Sequence, residues 1–184
     1  MRDAEEMPVS GGEGMACRAL KVSLPGDRTD TVVFGDGATQ LRVDGRIDFD
    51  GSMGVFSEVG GEAQWAMLVG GRTLGTETHA IRREAGIWRG RVVSRESGTI
   101  VTDSDLPGDG AIDGCYLSVE NDNDRDACYR VQKARREGDR TVIDVGDVDF
   151  VRGMVDELDY AKGFTYDFEV GAELRVVRTW VERW

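Results

Sequence analysis

The sequence predicts an all-β protein, an antiparallel β-sandwich or flattened barrel of about ten or more short strands with little helix. Three observations predict it. Apolar and polar residues alternate in one short stretch after another between Met15 and Trp184. Asp-Gly and Gly-Gly turns cut those stretches. No window of a dozen residues repeats apolar side chains convincingly at i, i+3, i+4 and i+7; Val151–Lys162 comes nearest and reads as a short helix or turn.

Leu20, Val22 and Leu24 alternate with polar residues, and Thr31–Phe34 follows as a short apolar strand. Gly35-Asp36-Gly37 turns into Leu41, Val43, Ile47 and Phe49, with a gap at Gly45. Val55, Ser57 and Val59 then lead through Gly60-Gly61 to Trp65, Met67 and Val69, the clearest hairpin in the chain. Ile87–Arg95 and Thr99–Thr102 bracket Glu96-Ser97-Gly98, and Leu106–Gly110 is loop chemistry set by Pro107 and its glycines. Cys115, Leu117 and Val119 alternate, as do Tyr129 and Val131, and Glu137-Gly138-Asp139 turns into Thr141–Val145. Gly163–Phe168 and Glu173–Val181 close the set.

The 184 residues are enough for one domain with a proper core, or two small ones; the pattern assigns 15–184 to a single all-β domain. Residues 1–14 have neither a basic n-region nor an apolar h-region and read as a poorly ordered leader or boundary stub, not a signal peptide. No apolar run is long enough to span a membrane as a helix, so membrane insertion is not expected. Net charge is −12, with 21 Asp, 14 Glu and only three lysines, Lys21, Lys133 and Lys162. Such a surface repels nucleic acid at long range, and the composition is of the kind found in salt-adapted or high-GC organisms.

Material for acid–base chemistry is scarce. His79 is the single histidine, in Thr76-Glu77-Thr78-His79, with no GxSxG motif and no cysteine placed for a dyad; it reads as an incidental surface or packing residue. The carboxylates are too many for a catalytic pair to be picked out. Cys17, Cys115 and Cys128 lack zinc-site spacing and read as buried reduced thiols, with a Cys115–Cys128 pair left to geometry. Asn121-Asp122-Asn123-Asp124-Arg125-Asp126 resembles the start of a calcium loop, but it lacks the glycine at position six and the Glu at position twelve of an EF-hand. With the shorter Asp48-Phe49-Asp50-Gly51 and Asp103-Ser104-Asp105, it reads as a solvated acidic turn. No catalytic residue, metal or cofactor is expected.

Arginine is locally dense. Arg82, Arg83, Arg89, Arg91 and Arg95 surround Trp88 against Glu84 alone, and Arg130, Lys133, Arg135, Arg136 and Arg140 form a second cluster. Guanidinium groups beside an exposed ring suit an acidic sugar, through bidentate contacts and stacking, so Arg82, Arg83, Trp88, Arg89 and Arg91 are the candidate carbohydrate-binding residues. The plainer reading pairs these arginines with acids on neighbouring strands and puts Trp88 in the core. Within one strand Trp88 points away from Arg89 and Arg91, so a shared face requires a bulge near Gly86 or Gly90, or two working faces.

Three passages carry a family resemblance: Ala66–Leu74, then Asp105-Leu106-Pro107 leading to Gly114–Val119, then Asp144–Gly153 running on through Asp159–Phe168. Over residues 40–175 the chain resembles the C-terminal β-sandwich region of heparinase II/III-like polysaccharide lyases. In that family an N-terminal (α/α) toroid and the start of the β-region carry the Asn, His, Tyr and Arg residues of β-elimination, and none of them is matched here. The resemblance implies a non-catalytic accessory module that supports the fold and contacts acidic polysaccharide or a lyase catalytic domain, in an exported or cell-surface protein. If the chain belongs to a longer protein, it implies a lyase. The alternatives are a structural or protein-interaction β-domain without sugar affinity, and an independent lyase or hydrolase.

Overall fold

The computed structural model describes residues 4–11, 17–37, 39–84, 86–103, 106–121 and 127–184. It is nearly all β, as the period-two pattern predicts; the described residues form one helical turn, a 3-10 turn at Tyr160–Lys162. The strands begin with β1 (Ala4–Met7), β2 (Val9–Ser10), β3 (Arg18–Leu24), β4 (Arg28–Phe34), β5 (Leu41–Val43), β6 (Ile47–Asp50), β7 (Met53–Val59), β8 (Glu62–Val69), β9 (Thr73–Gly75) and β10 (Ala80–Arg82). They continue with β11 (Ile87–Glu96), β12 (Thr99–Thr102), β13 (Tyr116–Val119), β14 (Ala127–Arg130), β15 (Lys133–Glu137), β16 (Arg140–Asp144), β17 (Val151–Met154), β18 (Phe164–Tyr166), β19 (Glu173–Val177) and β20 (Thr179–Arg183).

Where the sequence pattern suggests one domain, the chain divides into two compact units, Met1–Ile87 with Arg178–Trp184, and Trp88–Val177. The divisions fall inside β11 and in the single-residue gap between β19 and β20. Neither place carries the Pro- or Gly-rich linker that marks a boundary in a sequence.

The first unit is built from two antiparallel sheets, ordered β1-β3-β4-β7-β8-β20 and β10-β9-β6-β5-β2. In the β7–β8 hairpin Val55 faces Met67 and Val59 faces Glu62. Gly60 and Gly61 both hold positive φ, 58° and 86°, the two-residue geometry whose twist matches the flanking strands. Phe49, Leu41, Ile47 and Leu74 from one sheet pack with Phe56, Leu68, Ala66 and Val33 from the other in one buried cluster. Each large side chain so buried contributes about 1.5–3 kcal/mol relative to exposure.

The leader expected over 1–14 needs correction at its described part. Ala4–Met7 pairs with β3 and Val9–Ser10 with β5, so residues 4–10 supply an edge strand to each sheet. Met7 and Val9 pack against the core on either side of Pro8. Two apolar residues are too few for a periodicity to register.

The second unit holds a seven-stranded sheet, ordered β14-β13-β19-β11-β12-β16-β15, and a two-stranded ribbon, β17-β18. Its core gathers Leu117, Val119, Leu174, Val176, Ile100, Ile143, Phe150 and Phe168. Val151–Lys162, which reads as a short helix or turn, holds β17, a turn and the 3-10 turn at Tyr160–Lys162, and Leu158 is 96% exposed. Val155 and Leu158 are exposed, so the apolar spacing does not build a longer buried helix face. Among the described residues no helix is long and apolar enough to cross a membrane.

Candidate functional site

A polar surface covers the outward side of β14, β13, β19 and β11 in the second unit. Period-two alternation decides what each strand presents. Leu117 and Val119 are fully buried, which turns Tyr116 (58% exposed) and Ser118 outward. Leu174 and Val176 point inward, leaving Glu173 and Arg175 outside. In β14, Tyr129 packs against the core and Cys128 and Arg130 face out. In β11, Val92 is buried and Trp88 packs against the core, so Arg89 and Arg91 are the exposed pair.

Register brings these side chains together. Tyr116 lies directly opposite Arg130 on one side and Val177 on the other, and Ser118 lies opposite Cys128 and Arg175. Directly opposed residues have Cβ atoms about 4.5–5.5 Å apart, within reach of stacking and hydrogen bonding. A shallow groove of about 220 Å3 is lined by Arg89, Ser118, Glu120, Glu173, Leu174 and Arg175. The face therefore holds Arg89, Arg91, Arg130 and Arg175 around an exposed tyrosine, with Glu173 on it and Glu120 at the groove.

Glu173 is bound by Arg91, Nη2 to Oε1 at 2.6 Å, and the Arg91 amide donates to Asp103 Oδ1 at 2.9 Å. Both side chains of the ion pair are more than half exposed. Such surface pairs are worth at most about 1 kcal/mol, so an incoming carboxylate or sulfate competes for Arg91 on nearly equal terms.

The five residues picked out in the sequence are distributed as follows. Arg89 and Arg91 share the face just described, while Trp88 points to the core, as the plainer reading has it. Arg82 and Arg83 belong to the first unit. Arg82 is exposed at the end of β10 opposite Thr73. Arg83 binds Glu182 and lies 4.9 Å from the Trp180 ring, which Arg178 also approaches at 4.4 Å. Arg95, the last of the dense run, is turned inward. A bulge between Val92 and Ser94 shifts the register so that Arg95 sits opposite fully buried Ile100. Its guanidinium stacks 3.9 Å from the Tyr166 ring and its Nη2 lies 3.5 Å from Glu169.

Tyr116 stands outside the five residues that the arginine pattern singles out, although its place on this face is readable in the sequence. The Cys115, Leu117, Val119 alternation that defines β13 also places Tyr116 on the opposite side.

His79 lies in the turn between β9 and β10. Its amide donates to Thr76 Oγ1 at 3.2 Å, Nδ1 is 3.1 Å from Thr78 Oγ1, and its ring meets Trp184 edge-on at 5.3 Å. It borders a cavity of about 570 Å3 whose lining holds the Arg46–Glu58 ion pair and no serine or cysteine among the described residues. Cys115 and Cys128 form no disulfide: Cys115 is buried and Cys128 is exposed. Among the described residues no group of three His, Cys, Asp or Glu side chains is placed to hold a metal ion. Positions 122–126 of the calcium-like loop, and 104–105 of the shorter acidic turn, lie outside the described residues.

No protein-family model, no curated protein and no solved structure matches the chain.

Proposed function

We propose that the chain is a non-catalytic accessory β-sandwich module, akin to the C-terminal region of heparinase II/III-like polysaccharide lyases, that contacts acidic polysaccharide. The observation that carries this reading is the outward sheet face: Arg89, Arg91, Arg130 and Arg175 around exposed Tyr116, in a chain of net charge −12. Guanidinium forks hold uronate carboxylates or sulfates in bidentate fashion, and the tyrosine ring supplies a surface for a sugar ring. Trp88 has no part in this contact. Arg82 and Arg83 are not needed for it, and Arg83 is occupied by Glu182 and Trp180.

The test is a titration of the whole chain at low salt with heparin, alginate and ulvan-type oligosaccharides. Arg89→Ala/Arg175→Ala should weaken binding about tenfold or more, the loss of two charge-assisted contacts. Tyr116→Ala should weaken it less, and Arg82→Ala should leave it unchanged. Equal or absent binding across wild type and variants overturns the sugar contact. A protein-interaction module without sugar affinity is the second reading, and the exposed Val155, Leu158 and Tyr160 beyond β17 favour it.

A further inference from the structure

A second surface of the same unit has the opposite character. The β17–β18 ribbon and the segment after it border an open cleft of about 840 Å3. Phe164 and Tyr166 line it with 45% and 36% of their surface exposed. Four carboxylates, Glu120, Asp167, Glu169 and Glu173, also line it, and Arg152 is the one basic residue among its described lining. Asp167 is committed to the fold, accepting from the Tyr129 hydroxyl at 2.7 Å, and Glu173 is held by Arg91. Glu169 is 73% exposed. Exposed aromatic rings beside excess negative charge fit a cation with an apolar stem.

The chain already seats one cation in this way. Arg95 lies 3.9 Å from the Tyr166 ring with Glu169 within 3.5 Å of its guanidinium. Among the described residues each strand of the two-stranded ribbon also has one edge that no strand covers, which suits an extended segment. Glu120 and Glu173 also line the groove of the basic face, so the two surfaces adjoin, and the carboxylates of the cleft repel acidic polysaccharide from it.

We propose that this cleft docks a basic, extended segment of a partner protein. Its Arg or Lys side chains lie over Phe164 and reach Glu169 and Glu120, and its apolar residues cover Val155. Charge complementarity selects this occupant.

The experiment uses the whole chain and two fluorescein-labelled nonapeptides, one alternating Arg with Val and one alternating Glu with Val, followed by anisotropy. The Arg peptide should bind and the Glu peptide should not. Phe164→Ala should weaken binding about fivefold, the scale of an exposed cation–π contact. Phe164→Ala/Glu169→Gln should weaken it about tenfold in total. Glu62→Gln, which removes the same charge from the first unit, should change nothing. If Glu62→Gln weakens binding as much as adding Glu169→Gln to Phe164→Ala does, or if Phe164→Ala has no effect while circular dichroism shows a folded protein, the attraction is diffuse and the docking proposal falls. Oligosaccharide binding by Phe164→Ala/Glu169→Gln should stay at the wild-type level, so failure here is distinct from failure of the basic face.

Discussion

Tyr129 joins the sheet to the residues on either side of the ribbon. Its ring meets Phe150 edge-on at 5.3 Å and Phe168 at 6.0 Å, and its hydroxyl donates to Asp167. Burial first, and then the bond to Asp167, push the phenol well above its ordinary value of 10.0. A proton held more tightly in the folded state means stability present in full below pH 10 and lost as pH rises beyond it. Tyr129→Phe should therefore flatten the fall of stability above pH 10. It should also cost about 1 kcal/mol near neutrality, because the charged acceptor loses a donor. Urea unfolding between pH 7 and 11 measures both, and parallel curves for the two proteins would contradict the assignment.

At the scale of elements, alternation made most strands legible, together with the Gly60-Gly61 hairpin. Three features were not. The run Glu173–Val181 reads as one strand, yet it breaks at Arg178 and its halves join different units, because nothing local records which sheet a strand enters. The bulge at Val92 and Ser94 has no glycine or proline signature, so Arg95 counts with Arg89 and Arg91 in the sequence while pointing inward in the fold. The short β9 and β10 hold too few residues for a period to show. Gly70-Gly71 is readable as a turn, but its spatial demand is not. A Cβ at Gly71 would lie 2.1 Å from the Asp50 carbonyl oxygen and 2.4 Å from the Gly51 Cα, both backbone atoms. Gly71→Ala should lower stability by about 3 kcal/mol, the upper range for forced repacking. An unchanged urea midpoint would show that the β6–β7 and β8–β9 connections can move apart.

For the whole molecule, net charge −12 on 184 residues sets the balance between self-repulsion and local pairing. Several acids are paired, among them Asp30 with Arg28, Asp50 with Arg72 and Glu58 with Arg46. The acid excess still exceeds what the basic residues can neutralise, so salt should screen repulsion and raise Tm. The rise should fall between about 0.05 and 1 M NaCl, where the screening length drops from above 10 Å to about 3 Å. A flat or falling Tm would mean that the paired acids dominate.

The same charge makes the basic sheet face conspicuous, and its location is open to direct measurement. Backbone amide shifts of the isotopically labelled chain, followed as an acidic oligosaccharide is added at low salt, report where the ligand sits. The largest changes should cluster at Arg89, Arg91, Tyr116, Ser118, Arg130 and Arg175. Changes concentrated at Phe164, Tyr166 or His79, or none at ligand excess, would contradict it.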